Sequence, residues 1–185
     1  AFSGLTTKLF GVSVLDDGRW SGITTNGGVS VRTVTSSVAY FYLNAPVSDQ
    51  SYRIDITYKT SSTSGGIYQL LSSTPSKRLG TLTGDGTWRT LSVWVSADSF
   101  MDGAAGSFIN AKFSIRDANG TLVSSFTVYV DSDKDTLTDC QETVNYGTDP
   151  FSADTDSDGL NDNVETSPTY GTDPCDPDTD SDGLL

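Results

Sequence analysis

The sequence predicts an all-β chain: a two-sheet β-sandwich over residues 1–130, followed by a small region of acidic loop repeats over residues 131–185. Three observations predict it. Up to residue 130 the chain runs in short segments rich in Val, Ile, Thr, Tyr and Phe. Clusters of Gly, Asn, Asp and Ser break it roughly every 8 to 15 residues, and there is no helical period of useful length. The charge divides abruptly: ten Lys/Arg against eight Asp give a net +2 before residue 131, whereas Lys134 against fourteen Asp and two Glu gives a net −15 from there on. The acidic part also repeats itself with a period of 23 to 24 residues.

Segments near 11–15, 29–34, 38–43, 52–59, 67–71, 87–95, 108–116 and 121–130 supply the strands, about eight, which suits a two-sheet jelly roll. Turn signals stand at Gly84-Asp85-Gly86 and Asp117-Ala118-Asn119-Gly120. The last strand, Phe126 to Val130, runs into Asp131 with no Ser/Pro linker, which predicts a stiff join. Alternation sorts the faces, because successive strand residues point opposite ways. Tyr52, Ile54, Ile56 and Tyr58 share an inward face, as do Leu91, Val93 and Val95, and Ile109, Ala111, Phe113 and Ile115. If these strands lie in one sheet, its outer face gathers Trp88, Trp94, Arg53, Asp55, Lys112 and Arg116. That composition suits a sugar, since an aromatic ring stacks on the apolar face of a pyranose while charged side chains reach its hydroxyls. The same residues also fit an ordinary exposed face, with the tryptophans under loops and the basic groups paired with Asp55.

In the acidic region three copies of one phrase align: Asp131-Ser-Asp133-Lys-Asp135-Thr-Leu137-Thr-Asp139-Cys-Gln-Glu142, Asp154-Thr-Asp156-Ser-Asp158-Gly-Leu160-Asn-Asp162-Asn-Val-Glu165, and Asp178-Thr-Asp180-Ser-Asp182-Gly-Leu184, which stops short. Counted from the first Asp, carboxylates fall at positions 1, 3, 5, 9 and 12, the spacing of a calcium loop. A hard divalent cation wants six to eight oxygens at about 2.3 to 2.6 Å, alternate residues of a curled loop point inward, and a Glu at position 12 can return bidentate. At position 7 the carbonyl would serve, leaving the side chains of Leu137, Leu160 and Leu184 to pack. The only two glutamates in the protein both fall at position 12, which a mere excess of aspartate would not produce. Calcium is therefore expected, as two or three ions, with magnesium the weaker choice. Position 6 is Gly159 and Gly183 but Thr136 in the first loop, which should bend differently or bind more weakly.

These loops resemble thrombospondin type 3 repeats of secreted bacterial proteins, in the loop phrase and in Tyr146-Gly-Thr-Asp149-Pro150 and Tyr170-Gly-Thr-Asp173-Pro174. The resemblance covers residues 131–185, departs at Thr136, and lacks positions 9 and 12 in the third copy. It implies an ion-dependent rigid spacer without catalysis. Residues 10–130 are similar to jelly-roll carbohydrate-binding modules of secreted glycan-degrading enzymes, in Ala39-Tyr-Phe-Tyr-Leu43, Tyr52-Arg-Ile-Asp-Ile-Thr-Tyr58, Gly86-Thr-Trp-Arg-Thr-Leu-Ser-Val93 and Ala111-Lys-Phe-Ser-Ile-Arg116. Binding residues differ among such modules, so the resemblance transfers none.

Histidine is absent and both glutamates stand in the loops, so the chain has neither the usual general base nor a pair of catalytic carboxylates, and it is expected not to be an enzyme. The sequence shows no signal-peptide pattern and no apolar run of the roughly 18 residues a membrane span needs. The charge disfavours nucleic acid as a partner. Cys140 and Cys175 are an even pair in a chain of extracellular character, which favours a disulfide over free thiols or pairing outside the sequence. The expected whole is a non-catalytic carbohydrate-binding module with a calcium-stabilised spacer, cut from a longer secreted or cell-surface bacterial protein that degrades polysaccharide. Neutral and acidic glycans both stay open. The alternative is a structural or adhesive module that binds calcium and no glycan.

Overall fold

The computed structural model describes residues 12–14, 19–21, 23–43, 50–69, 76–96, 111–181 and 183. It is a two-sheet antiparallel β-sandwich with short helical turns near its C-terminal end. The strands are β1 (Val12–Val14), β2 (Thr24–Asn26), β3 (Val29–Thr33), β4 (Val38–Leu43), β5 (Ser51–Lys59), β6 (Gly65–Gln69), β7 (Lys77–Leu82), β8 (Trp88–Ser96), β9 (Ala111–Arg116) and β10 (Leu122–Asp131). One sheet has the order β1-β4-β9-β6-β7 and the other β2-β3-β10-β5-β8. The chain divides into two compact units, the first made of 1–48 with 54–128 and the second of 49–53 with 129–185. Among the described residues no helix is long and apolar enough to cross a membrane.

Strands β2 and β7 are additional to the expected set. β2 is three polar residues and β7 carries two cations and a glycine, so neither shows apolar alternation, and both are edge strands that need only one neighbour. The β2–β3 hairpin closes on Gly27 and Gly28 at φ 58 and 84, the left-handed pair that a two-residue turn of matching twist requires. Of the two turns read from sequence, the one at Asp85 is tied by its carboxylate accepting from Thr87 N at 3.1 Å and Thr87 Oγ1 at 2.6 Å. The other holds Asp117 and Gly120 at positive φ.

Burial within the strands follows the expected alternation where side chains are described. Tyr52, Ile54, Ile56 and Tyr58 are buried, with half-buried residues between them. Phe113, Ile115, Val93 and Val95 are buried too, while Leu91 is half-buried. Ile109 lies outside the described residues. In the first unit the sheets meet through aromatic rings: Phe41 of β4 stacks on Phe113 of β9 at 5.0 Å and packs against Phe126 of β10, from the opposite sheet, at 4.5 Å. Trp20 meets Phe126 edge-on at 6.4 Å, and its indole N–H donates to the Tyr40 carbonyl at 2.9 Å. It is a core residue rather than an exposed platform. Each buried Phe of this cluster contributes on the order of 1.5 to 3 kcal/mol by leaving water.

Candidate functional site

The acidic loops are shaped by their own carboxylates. Asp131 Oδ1 accepts from Lys134 N at 2.7 Å, Asp133 Oδ1 from Asp135 N at 3.2 Å, and Asp135 Oδ1 from Leu137 N at 2.6 Å. The second loop repeats the set: Asp154 from Ser157 N at 2.7 Å, Asp156 from Asp158 N at 3.2 Å, Asp158 from Leu160 N at 2.7 Å. At position 3 one oxygen thus curls the chain and the other is left over: Asp133 Oδ2 and Asp156 Oδ2 are buried without a hydrogen-bond partner. Positions 4 and 6 carry the bend, at positive φ in Lys134, Thr136, Ser157, Gly159, Ser181 and Gly183. Thr136 therefore bends as the glycines do, at φ 81 beside 99 for Gly159 and 88 for Gly183, contrary to the expectation of a different path. Its Oγ1 accepts from Asn163 Nδ2 at 3.0 Å.

A helical turn then returns position 12 to the loop. Helix α1 (Asp139–Gln141) starts at Thr138, whose hydroxyl caps the Gln141 N–H while the Gln141 side chain reaches back to the Thr138 N–H. A π-turn at Glu142–Tyr146 follows and closes on Gly147. In the second copy α2 (Asp162–Glu165) does the same work from Asn161. Glu142 and Glu165 are both 0% exposed, and neither carboxylate has a hydrogen-bond partner on either oxygen. Burial, with Asp133, Asp135, Asp139 and Asp162 nearby, pushes the Glu142 carboxyl up to about 8. Burial also raises Asp131 and Asp133 to about 6. Asp135, Asp156 and Glu165 are shifted upward by the same cause.

Asp131, Asp133 and Asp135 each offer an oxygen within 4.8 Å of the others, and so do Asp154, Asp156 and Asp158. Oxygens bound at about 2.4 Å to a shared cation can stand no farther apart than about 4.8 Å, so both triads fit one. Position 9 also shapes the loop. Asp139 accepts from Ser132 N and Ser132 Oγ, both at 2.9 Å, and Asp162 from Thr155 N and Thr155 Oγ1, both at 2.8 Å. These carboxylates brace the second residue of each loop. The hydroxyl they hold recurs at position 2 in all three copies as Ser132, Thr155 and Thr179, a signal present in the sequence itself. Leu137 is buried and Leu160 half-buried. In the third loop Gly183 N donates to Asp178 Oδ2 at 2.9 Å, matching Gly159 N to Asp154 Oδ2 at 3.1 Å. Asp180 is exposed, and Asp182 and Leu184 lie outside the described residues.

Cys140 and Cys175 are free, exposed thiols, so the expected disulfide is absent. Cys175 Sγ instead lies 3.9 Å from the Tyr146 carbonyl.

The face assembled from sequence does not exist as one surface, because β9 belongs to the sheet opposite β5 and β8. Lys112 and Arg116 are thereby separated from Trp88, Trp94, Arg53 and Asp55. Alternation fixes the face of a residue within its strand but not the sheet to which the strand belongs. Trp94 is 38% exposed and Trp88 half-buried on β8, where Thr90 and Thr57 hydroxyls meet at 3.2 Å across to β5. Arg53, itself part of the second unit, lies over the Tyr129 ring at 4.4 Å and donates to Gln141 Oε1 at 3.0 Å. Asp55 is half-buried on β5.

No protein-family profile matches the chain, and no curated protein does. Among solved structures it is similar to a family 29 carbohydrate-binding module, at 12% identity over 66% of this chain and 89% of that one, TM-score 0.36. A single-residue variant of that module matches at 11% identity over 73% and 95%, TM-score 0.38. A second variant, in complex with cellulohexaose, matches at 12% over 65% and 80%, TM-score 0.37. Likeness at this level places no residue of this chain in a ligand site.

Proposed function

We propose that residues 131–185 bind calcium, in two ions held by Asp131, Asp133, Asp135 and Glu142 and by Asp154, Asp156, Asp158 and Glu165, with a third where Asp178, Asp180 and Asp182 begin a further loop. The carbonyls of Leu137 and Leu160 supply the position-7 oxygen. The observation that carries this reading is the pair of fully buried glutamates with all four oxygens lacking a hydrogen-bond donor. A buried carboxylate without a partner is strongly unfavourable, and the only cation in residues 131–185 is the exposed Lys134. All the donors are oxygens and most are charged, which suits calcium over softer metals; magnesium demands a tighter octahedron and keeps its waters. Asp139 and Asp162, placed at position 9, act by orienting the loop.

The first 130 residues are, in this reading, a non-catalytic carbohydrate-binding module of a secreted or cell-surface bacterial protein that acts on polysaccharide, joined to neighbouring domains through the calcium region. Exposed Trp94 supports it, because an outer-face tryptophan offers a flat apolar surface to a sugar ring.

Calorimetric titration of the chelated chain tests the ion. Binding of two or three calcium ions is expected, and Glu165→Gln should remove one of them. A flat titration into the millimolar range would rule calcium out. For the sandwich, a glycan array on the calcium-saturated chain should give a hit that Trp94→Ala abolishes with the fold intact. A blank across the array would leave a structural or adhesive module.

A further inference from the structure

Around Tyr68 the outer face of the first sheet is built differently from any face expected from sequence. The pairing of β6 with β7 shifts between Ile67 and Tyr68: Ile67 faces Gly80, and Tyr68 then faces Arg78 rather than Leu79. This bulge exchanges an apolar neighbour for a guanidinium on the side that points away from the core, and bulges commonly re-aim a side chain in this way. Tyr40, Ser114, Tyr68 and Arg78 thereby form one cross-strand row over β4, β9, β6 and β7. Gly66 makes room for it, since a Cβ there would meet Tyr68 Cε2 at 2.8 Å and Arg78 Nε at 3.0 Å.

Two guanidiniums flank the ring of Tyr68, Arg116 at 4.6 Å and Arg78 at 5.7 Å from its centroid. Arg116 is held in place: its Nε donates to Ser114 Oγ at 3.0 Å and its Nη2 to Ser76 Oγ at 2.6 Å, while Ser114 is fully buried beneath it. Arg78 is exposed, and its Nη2 reaches only the Gly65 carbonyl at 3.3 Å. Among the described residues neither arginine meets a carboxylate, and Arg116 Nη1 makes no hydrogen bond. A fixed guanidinium, Arg116, and an exposed one, Arg78, both without a carboxylate among the described residues, around one aromatic ring are a surface complementary to a planar anion rather than to a neutral hydroxyl.

We propose that this face, centred on Tyr68, Arg78 and Arg116, binds a carboxylated polysaccharide, with a uronate carboxylate on the guanidiniums. This rests on the carbohydrate-binding reading of the sandwich and names the class of glycan and the sheet that takes it. The occupant is chosen by charge: the face presents cations, and the acidity of the chain is concentrated in residues 131–185.

The test is calorimetry on the calcium-saturated full chain with short oligogalacturonates, their methyl esters and a neutral β-glucan. The expected result is binding of the acid and not of its ester, weakened roughly tenfold by Arg116→Gln and by Arg78→Gln and unchanged by Trp94→Ala. Arg78→Gln guards against misfolding, because that side chain is exposed and makes one long hydrogen bond. Equal binding of acid and ester would overturn the proposal. Binding of the neutral glucan alone, lost in Trp94→Ala and untouched by the arginine variants, would overturn it while leaving the carbohydrate reading in place. No binding to any glycan would remove both. Self-association that Arg78→Gln dissolves, seen by sedimentation without oligogalacturonate binding, would assign the face to a second copy and overturn the proposal.

Discussion

The sandwich and the acidic repeats bury opposite materials. The largest fully buried side chains of the first unit are phenylalanine, isoleucine and leucine, packed ring on ring and held by removal from water. In residues 131–181 five carboxylates are buried, Asp131, Asp135, Glu142, Asp162 and Glu165, beside Thr138, Thr148, Pro174 and Leu137. A hydrophobic interior supplies its own stabilisation, whereas a carboxylate interior repels itself and must receive positive charge from outside the chain. The two regions should therefore fail under different conditions, and the experiments below try to make them fail separately.

Calcium removal has the largest expected effect. Excess chelator should unfold residues 131–185 while the sandwich persists, since for such loops binding free energy is folding free energy. Amide exchange resolved by region is the measurement. Loss of protection in both regions together would mean that the ions also support the sandwich and would break the contrast.

A core truncation should do the reverse. Phe126→Ala removes a ring that touches Phe41 and Trp20, and cavity formation at such a site costs about 3 to 5 kcal/mol. The sandwich transition should fall sharply in a denaturant melt, with calcium stoichiometry unchanged. If Phe126→Ala also lowered calcium affinity, the two units would be coupled through more than covalent continuity.

The pH response separates the regions more finely. In the calcium-free chain Glu142 is raised to about 8 from 4.5, and Asp131 and Asp133 to about 6 from 3.8. A group whose folded pKa is raised binds its proton more tightly when folded. Its contribution to stability is complete below its unfolded value and is lost as pH rises through the folded one. The calcium-free repeats should thus be most ordered below about pH 4 and lose order as pH rises toward about 6 and then about 8. Calcium affinity should run the other way, weakening below about pH 6 as protons compete for the same oxygens. Proteolysis at residues 131–185 across pH, with and without calcium, measures both. An ion-free region more protected at high pH would contradict the burial that raises these groups.

Much of the repeat region was legible because its chemistry is periodic. Aspartates at alternate positions and a glutamate one helical turn later leave few alternatives, and the same hydrogen bonds recur in both complete copies. What spacing cannot tell is the hydrogen bonds a carboxylate makes within its loop, such as those Asp139 and Asp162 accept from Ser132 and Thr155. In the sandwich, alternation located the buried residues of β5 and β9 but could not allot those strands to sheets, since pairing is a long-range property. The bulge opposite Tyr68 was hidden for a related reason: one extra residue in a polar edge strand leaves no mark on composition.

The smallest effect tests whether the first loop carries a strain that the second avoids. Thr136 holds φ 81, where a β-branched residue is disfavoured by about 1 to 2 kcal/mol and glycine is not. Thr136→Gly relieves this but loses the exposed bond from Asn163 Nδ2 and adds freedom to the unfolded chain, each worth a fraction to about 1 kcal/mol. The net should be a gain of about 0.5 kcal/mol in the calcium-saturated repeats, whereas Gly159→Thr, at φ 99 and with no Asn163 to hold it, should lose more than that. Paired melts of the two variants read the difference directly. Destabilisation by Thr136→Gly would show that the hydrogen bond from the second repeat outweighs the strain, making Thr136 an adaptation to its neighbour.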